Sequence, residues 1–305
     1  MIEVNELSKH YGGRTAVDHL SFTVRPGRVT GFLGPNGSGK STTLRMILGL
    51  DSPDGGTATV GGVPFRRHAR GLRHVGALLD AGQVHGGRSA AAHLSALARS
   101  NGIASRRVDE VLREVGLAGA ATRRVGGFSL GMKQRLGIAA ALLGDPPVLM
   151  FDEPINGMDP EGVLWARRLF RRLAAEGRTV FLSSHLMSEM ENTADELVVI
   201  GRGRLIAAES LREFAARSAR LGVVVGTPQA AELTAVLAAA GADVEPDGTA
   251  ATERIAVTGL PADRIGALAC EHRIPLTELT TRTASLEQAF MELTADSVEY
   301  PGGTS

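Results

Sequence analysis

Gly34-Pro35-Asn36-Gly37-Ser38-Gly39-Lys40-Ser41 fits the spacing G-x-x-x-x-G-K-[ST], and its flanks decide the fold. The short apolar run Val29–Leu33 precedes it as a strand, and Thr42–Leu50 follows with a helical pattern. Strand, glycine-rich turn and helix in that order make a phosphate cradle. The glycines let the backbone curl, so that successive N–H groups point at anionic oxygens with no Cβ in the way. The helix N-terminus adds the positive end of its dipole. In such a loop Lys40 holds the outer phosphates and the Ser41 hydroxyl is a ligand for Mg²⁺; Gly34, Pro35, Asn36, Gly37, Ser38, Gly39 and Thr42 complete the binding segment. Lys9, Lys40 and Lys133 are the only lysines in the chain, so chance seldom puts one at this position.

Further along, Val148–Phe151 is an apolar run bounded by Pro146-Pro147 and by Asp152-Glu153, which suits a strand buried on both faces. Its C-terminal end delivers two carboxylates where ligands sit in open α/β sheets. Asp152 belongs in the Mg²⁺ shell. Glu153 points differently and is placed to act as a general base toward an attacking water. Helical patterns over Ala90–Ala98, Val108–Val115, Leu130–Leu143 and Val163–Ala175 alternate with strands at Thr179–Ser183 and Leu197–Ile200. That alternation predicts an α/β fold with a parallel sheet covered on both faces. Residues 1–30 read as two strands joined by Gly12-Gly13, residues 57–65 as a small hairpin, and residues 209–220 as a charged helix leading out of the core. Residues 221–295 read as β-α-β-β-α-β-α, with Ser285 and Gln288 as a capping box on the last helix.

This ordered set of motifs resembles the ATP-binding subunits of ABC transporters, over about residues 1–220. Phe128-Ser129-Leu130-Gly131-Met132 followed by Lys133-Gln134-Arg135 resembles the family's signature motif, Asn156-Gly157-Met158-Asp159 its D-loop, His185 its switch histidine, and Tyr11 the aromatic that stacks on adenine. The resemblance implies a P-loop NTPase (RecA-like) core with an antiparallel β-subdomain and a helical signature subdomain at about 82–140. Two copies would pair head to tail, each ATP lying between one copy's phosphate loop and the other's Ser129 and Gly131, with Asp159 as a cross-dimer contact. His185 would bridge the γ-phosphate and Glu153. Family members usually carry a glutamine at the end of the strand that here reads Val75–Leu79; Asp80 stands there, and the resemblance makes it a candidate Mg²⁺ ligand. Leu130 and Met132 depart from the usual signature in the manner of the bacterial drug- and bacitracin-exporter branch. That branch implies ATP and Mg²⁺ as cofactors, a separate transmembrane permease as partner, and a cytoplasmic place on the inner face of the membrane. It also implies a small α+β C-terminal domain, here residues 221–305 after an ATP-binding domain at 1–220.

Composition narrows the alternatives. Thirty-three basic residues balance thirty-three acidic ones, which argues against a nucleic-acid partner or a protein that coats an anionic membrane. A GTPase would need an N-K-x-D guanine reader, and no lysine is placed to supply it. A ribosome- or DNA-associated ATPase of the same family would call for two phosphate loops or long coiled coils. The lone Cys270 fits a reducing compartment. No stretch reaches the roughly 18–20 apolar residues of a membrane span, and the N-terminus lacks a signal-peptide pattern.

Overall fold

The computed structural model describes residues 1–218, 222–247, 254–282 and 286–294. They fall into two compact units: Met1–Leu211 with Leu293 and Thr294, and Arg212–Glu292. This division lies ahead of the 220/221 position expected from sequence, and α7 (Leu211–Ser218), which carries the fully buried Phe214, falls almost wholly in the second unit.

In the first unit, β1 (Ile2–Tyr11), β2 (Arg14–Val24), β3 (Val29–Leu33) and α1 (Lys40–Ile47) come first. Next are β4 (Gly55–Val60), β5 (Val75–Leu78), α2 (Ala90–Ser100), α3 (Arg106–Glu114) and α4 (Leu130–Leu142). The unit continues with β6 (Val148–Asp152), α5 (Pro160–Ala175), β7 (Thr179–Ser184), α6 (Met187–Glu191), β8 (Glu196–Gly201) and β9 (Arg204–Ser210). A six-stranded sheet runs β5-β6-β7-β3-β8-β9, parallel from β5 to β8, with β9 antiparallel at one edge. Its central strands are mostly apolar and almost wholly buried because helices cover both faces. A separate antiparallel sheet, β2-β1-β4, corrects the reading of residues 57–65 as an independent hairpin: β4 pairs with β1, and only a bridge from Val60 to Val63 remains of the turn. Strand propensity at Thr57–Val60 was visible; its long-range partner was not.

The core is where these two sheets meet. Phe22, Phe32 and Phe181 form a ring cluster with centroids 5.1 to 5.7 Å apart, drawn from three different strands. Burying three such rings ties the antiparallel sheet to the strand that feeds the phosphate loop. Of residues 209–220, read as one helix, those described (209–218) divide instead into the end of β9 and α7.

The second unit holds β10 (Gly222–Gly226), α8 (Ala230–Ala239), β11 (Asp243–Pro246), β12 (Arg254–Thr258), α9 (Ala262–Glu271), β13 (Glu278–Arg282) and all but the last two residues of α10 (Leu286–Thr294). All its strand pairs are antiparallel, in the order β11-β12-β10-β13, a split β-α-β arrangement. Val223, Val225, Leu233, Leu237, Ile265 and Leu268 form its own core. Ser285 of the expected capping box lies outside the described residues.

Candidate functional site

Register builds the site. Adjacent parallel strands set Asp152 at the end of β6 beside Ser183 on β7, and Leu33 at the end of β3 beside Ser184. Everything chemically active therefore emerges at the C-terminal ends of β3, β6 and β7, the usual ligand edge of an open parallel sheet. A cavity of about 510 Å³ opens there, lined by the loop segment Asn36–Thr42, by Tyr11, Arg14, Ala16 and Leu79, and by Asp152 and Glu153. Its size is ordinary for a site that holds a nucleotide-sized ligand.

The loop requires its glycines. Gly39 has φ of 104°, and a Cβ there would meet the Ala16 carbonyl oxygen at 2.5 Å. A Cβ at Gly34 would meet Ser38 Oγ at 2.4 Å and the Ile200 carbonyl oxygen at 2.5 Å. Gly39 caps α1 without a side-chain hydrogen bond, so the first N–H groups of the helix are left for a ligand. Ser38 Oγ is buried and makes no protein hydrogen bond. Lys40 Nζ folds back onto the carbonyls of Gly34 at 2.5 Å and Pro35 at 3.2 Å. Burial pulls the Lys40 ammonium below its ordinary value, and the negative charges of Glu153 and Asp152 oppose that shift. A half-satisfied buried cation, an orphaned hydroxyl and open helix N–H groups all match a polyphosphate.

A chain of hydrogen bonds crosses the cavity mouth. Ser41 Oγ donates to Asp152 Oδ2 at 2.7 Å, and Ser183 Oγ donates to Asp152 Oδ1. Ser183 Oγ in turn accepts the Glu153 N–H at 3.0 Å. Glu153 has φ of 49°, a conformation unfavourable for a residue with a side chain, and its carboxylate oxygens both lie 3.0 Å from His185 Nδ1. Next to it, Ser184 Oγ donates to Glu189 Oε2 at 2.5 Å, and burial pushes the Glu189 carboxyl up from the ordinary glutamate range. Ser41 Oγ and Asp152 supply converging hard oxygen donors, the set that a divalent cation such as Mg²⁺ accepts.

The structure thus brings Lys40, Ser41, Asp152, Glu153 and His185 together, with Tyr11 at the rim. The Tyr11 hydroxyl donates to Asp51 Oδ2 at 3.0 Å, and its ring is half exposed with Lys9 Nζ 5.4 Å from the centroid. Asp80 is not brought in. It is exposed, and its Oδ1 accepts the Gly82 N–H at 2.7 Å, closing a local turn, while Leu79 lines the cavity in its stead. A short carboxylate satisfies its own backbone more readily than it reaches across a site. Ser129 and Asp159 do not line the cavity. Ser129 Oγ caps α4 by accepting the Met132 N–H at 3.2 Å, and Asp159 Oδ1 caps α5 by accepting the Gly162 N–H at 2.8 Å. Gly131 lies in the first turn of α4, facing Gly157 and Met158.

Two residues of this neighbourhood carry no role in the sequence reading: Ser183, and Gln134 within the signature stretch. Ser183 carried a signal: strand alternation puts it on the same side as His185. Gln134 carried a weaker one, a polar side chain on the buried side of an apolar helix; its Nε2 donates to the carbonyls of Glu153 at 3.2 Å and Asn156 at 3.3 Å.

Fold and site together define a P-loop ATPase. The family model described as ABC transporter matches residues 17–156, and a family described as a domain of unknown function matches residues 221–287. Over 216 residues the chain is 40% identical to an uncharacterized ABC transporter ATP-binding protein, YhcH, of Bacillus subtilis, covering 70% of this chain and 71% of that protein. It is 43% identical over 209 residues to the bacitracin transport ATP-binding protein BcrA of Bacillus licheniformis, covering 68% of each. The Nod factor export ATP-binding protein I of Ralstonia nicotianae is 35% identical over 305 residues, covering 96% of this chain and 94% of that one. A solved ATP-binding subunit of an ABC transporter superposes with a TM-score of 0.65 at 28% identity, covering 71% of this chain and 92% of that one. The chain belongs to the ABC transporter ATP-binding proteins and is an ATPase subunit.

Proposed function

We propose that two copies of this chain close head to tail around two ATP molecules and that closure drives a separate membrane permease in the export of a drug or antibiotic. The observation that carries the catalytic part is the hydrogen-bonded series Ser41, Asp152, Ser183, Glu153 and His185 at the end of the phosphate loop. In this reading Lys40 and the loop N–H groups bind the β- and γ-phosphates, and Tyr11 stacks on the base. Glu153 takes the proton of the attacking water on its carboxylate, and His185 holds that carboxylate in place. Ser41 and Asp152 would hold Mg²⁺, which when bound neutralises phosphate charge.

The head-to-tail arrangement is supported by what lies outside the cavity. The Ser129 end of α4 is exposed, with Leu130 half open to solvent, and a helix N-terminus attracts an anion such as the γ-phosphate of a partner's nucleotide. Asp159 caps α5 just after the Gly157-Met158 turn that faces Gly131, and would meet the partner. Export of an antibiotic-like compound is supported by the relatives named for bacitracin and lantibiotic transport. No helix among the described residues is long and apolar enough to cross a membrane, which suits a subunit held at the inner membrane face by its permease. The second unit would be an accessory domain, and no nucleic acid is needed.

Glu153→Gln tests the reading. It should bind ATP, accumulate as a dimer at saturating Mg-ATP in sedimentation measurements, and hydrolyse about 10²–10⁴-fold more slowly. Unchanged turnover would remove Glu153 as the base, and a persistent monomer would remove the head-to-tail pair.

A further inference from the structure

Gln134 occupies the buried side of α4, one turn beyond the Ser129 cap. Two carbonyl oxygens, of Glu153 and Asn156, converge on one end of its amide, which fixes that end as the NH₂ group. The other end, Oε1, is buried and has no hydrogen-bond donor. An unsatisfied acceptor lowers stability, and an apolar side chain of the same shape would instead take the donor away from both carbonyls. The contribution of this residue is its NH₂ group, not apolar packing. What the amide does is join two segments: the helix that presents Ser129, and the turn that leaves β6 through Glu153.

A second set of contacts joins the same segments. A Cβ added to Gly157 would lie 2.2 Å from Leu130 Cδ2, so the first turn of α4 rests directly on the Glu153–Met158 turn. Gly131 faces the Gly157 carbonyl and Met158 on the same side. The Glu153 backbone, at φ of 49°, is held from both ends: its N–H by Ser183 and its carbonyl by Gln134. A displacement of α4 must move that carbonyl, and with it the carboxylate that faces His185.

We infer that Gln134 is a positioning residue that relays the docking of Ser129 on the partner copy's nucleotide to Glu153 in this chain's own site, an inference that rests on the head-to-tail reading above. Each site then becomes competent only when the other is filled, and hydrolysis is cooperative in ATP.

The test compares the full chain with Gln134→Met, which keeps side-chain length and loses the donor. The variant should lower the thermal midpoint modestly, because two carbonyls lose a donor, but should keep the ATP affinity of the parent and still dimerise in the Glu153→Gln background. Its hydrolysis should lose cooperativity, the Hill coefficient falling from about 2 to about 1, and turnover should drop about tenfold. With Ser129→Ala the losses should not multiply, because both changes break one relay. A second variant guards against misfolding of the first. Gln134→Glu sets a carboxylate against two carbonyl oxygens, so its deficit relative to the parent should exceed that of Gln134→Met and shrink as the pH falls. Parental cooperativity and turnover in Gln134→Met, multiplicative losses with Ser129→Ala, or a parental Hill coefficient of about 1 would each overturn the relay. If Glu153→Gln stays monomeric with ATP, the head-to-tail reading fails and takes the relay with it. If it dimerises while Gln134→Met behaves as the parent, the relay alone fails.

Discussion

Replacing Ser183 with alanine should injure turnover while sparing nucleotide binding. One oxygen is removed, and it serves two partners: it donates to Asp152 Oδ1 and accepts the Glu153 N–H. Ser183 has no solvent exposure, so water does not replace the hydroxyl without rearrangement. A hydrogen bond to an ionised carboxylate contributes about 1.5–3 kcal/mol, and an orphaned buried N–H costs about 1–3 kcal/mol. The two effects share an atom and do not add in full, so a loss of about 2–4 kcal/mol in folding stability is expected. The catalytic effect follows from the same geometry, since Glu153 sits in a strained conformation that this bond helps to hold. If about 1.4–2.8 kcal/mol of that support is needed in the transition state, kcat falls about 10–10²-fold. Neither Lys40 nor Ser41 hydrogen-bonds to Ser183, so KM for Mg-ATP should move little. Ser183→Cys, a weaker donor of similar size, should fall between parent and alanine variant. The assay is urea unfolding paired with steady-state hydrolysis at saturating Mg-ATP. A stability change within about 0.5 kcal/mol together with an unchanged kcat would refute the bridging role.

Lys40→Met should weaken ATP binding about 10–10²-fold, from the loss of a charge-assisted phosphate contact, while leaving the thermal midpoint unchanged or higher because a buried cation is gone. Isothermal titration checks it, and an unaltered affinity would contradict the phosphate role. Asp80→Ala should leave the Mg²⁺ titration of hydrolysis where it is, since the carboxylate closes the turn to Gly82 and does not line the cavity; a shifted Mg²⁺ midpoint would return Asp80 to the site. Glu189 has its pKa raised by burial, so the folded state favours the protonated form, and stability falls as pH climbs from the ordinary glutamate range through the raised value. Glu189→Gln should therefore unfold at higher urea than the parent near neutral pH, and the difference should vanish in acid. A difference independent of pH would show that burial of the charge is not what sets the cost.

The parallel core was legible because its strands are short apolar runs whose ends carry glycine, carboxylate or histidine, and periodicity alone finds such runs. Val148–Phe151 and Thr179–Ser183 needed no tertiary knowledge. The phosphate loop was legible for a different reason: its conformation admits so few residue types at Gly34 and Gly39 that the requirement is written in the sequence. What escaped depends on register and on the far end of a side chain. Nothing in the string of letters says that β4 pairs with β1, that Ser183 stands beside Asp152, or that Gln134 reaches two carbonyls. Asp80 is a different case. A motif position assigned it a ligand's place, and a backbone N–H two residues on satisfied it first.

Ser129 and Asp159 show why a structural reading and a functional one need not compete. Each accepts a backbone N–H as a helix cap, which uses a lone pair on the side-chain oxygen. A hydroxyl that accepts still has its own proton to give, so Ser129 can cap α4 and donate to a phosphate oxygen at the same time. Capping also fixes the orientation of that hydroxyl before any nucleotide arrives, which lowers the ordering cost of the contact. Asp159 is an acceptor only, so it suits a partner's N–H or hydroxyl and would repel a phosphate. In the proposed pair, a serine at the start of α4 and an aspartate at the start of α5 would thus suit different things on the facing copy: the first its triphosphate, the second its N–H or hydroxyl groups.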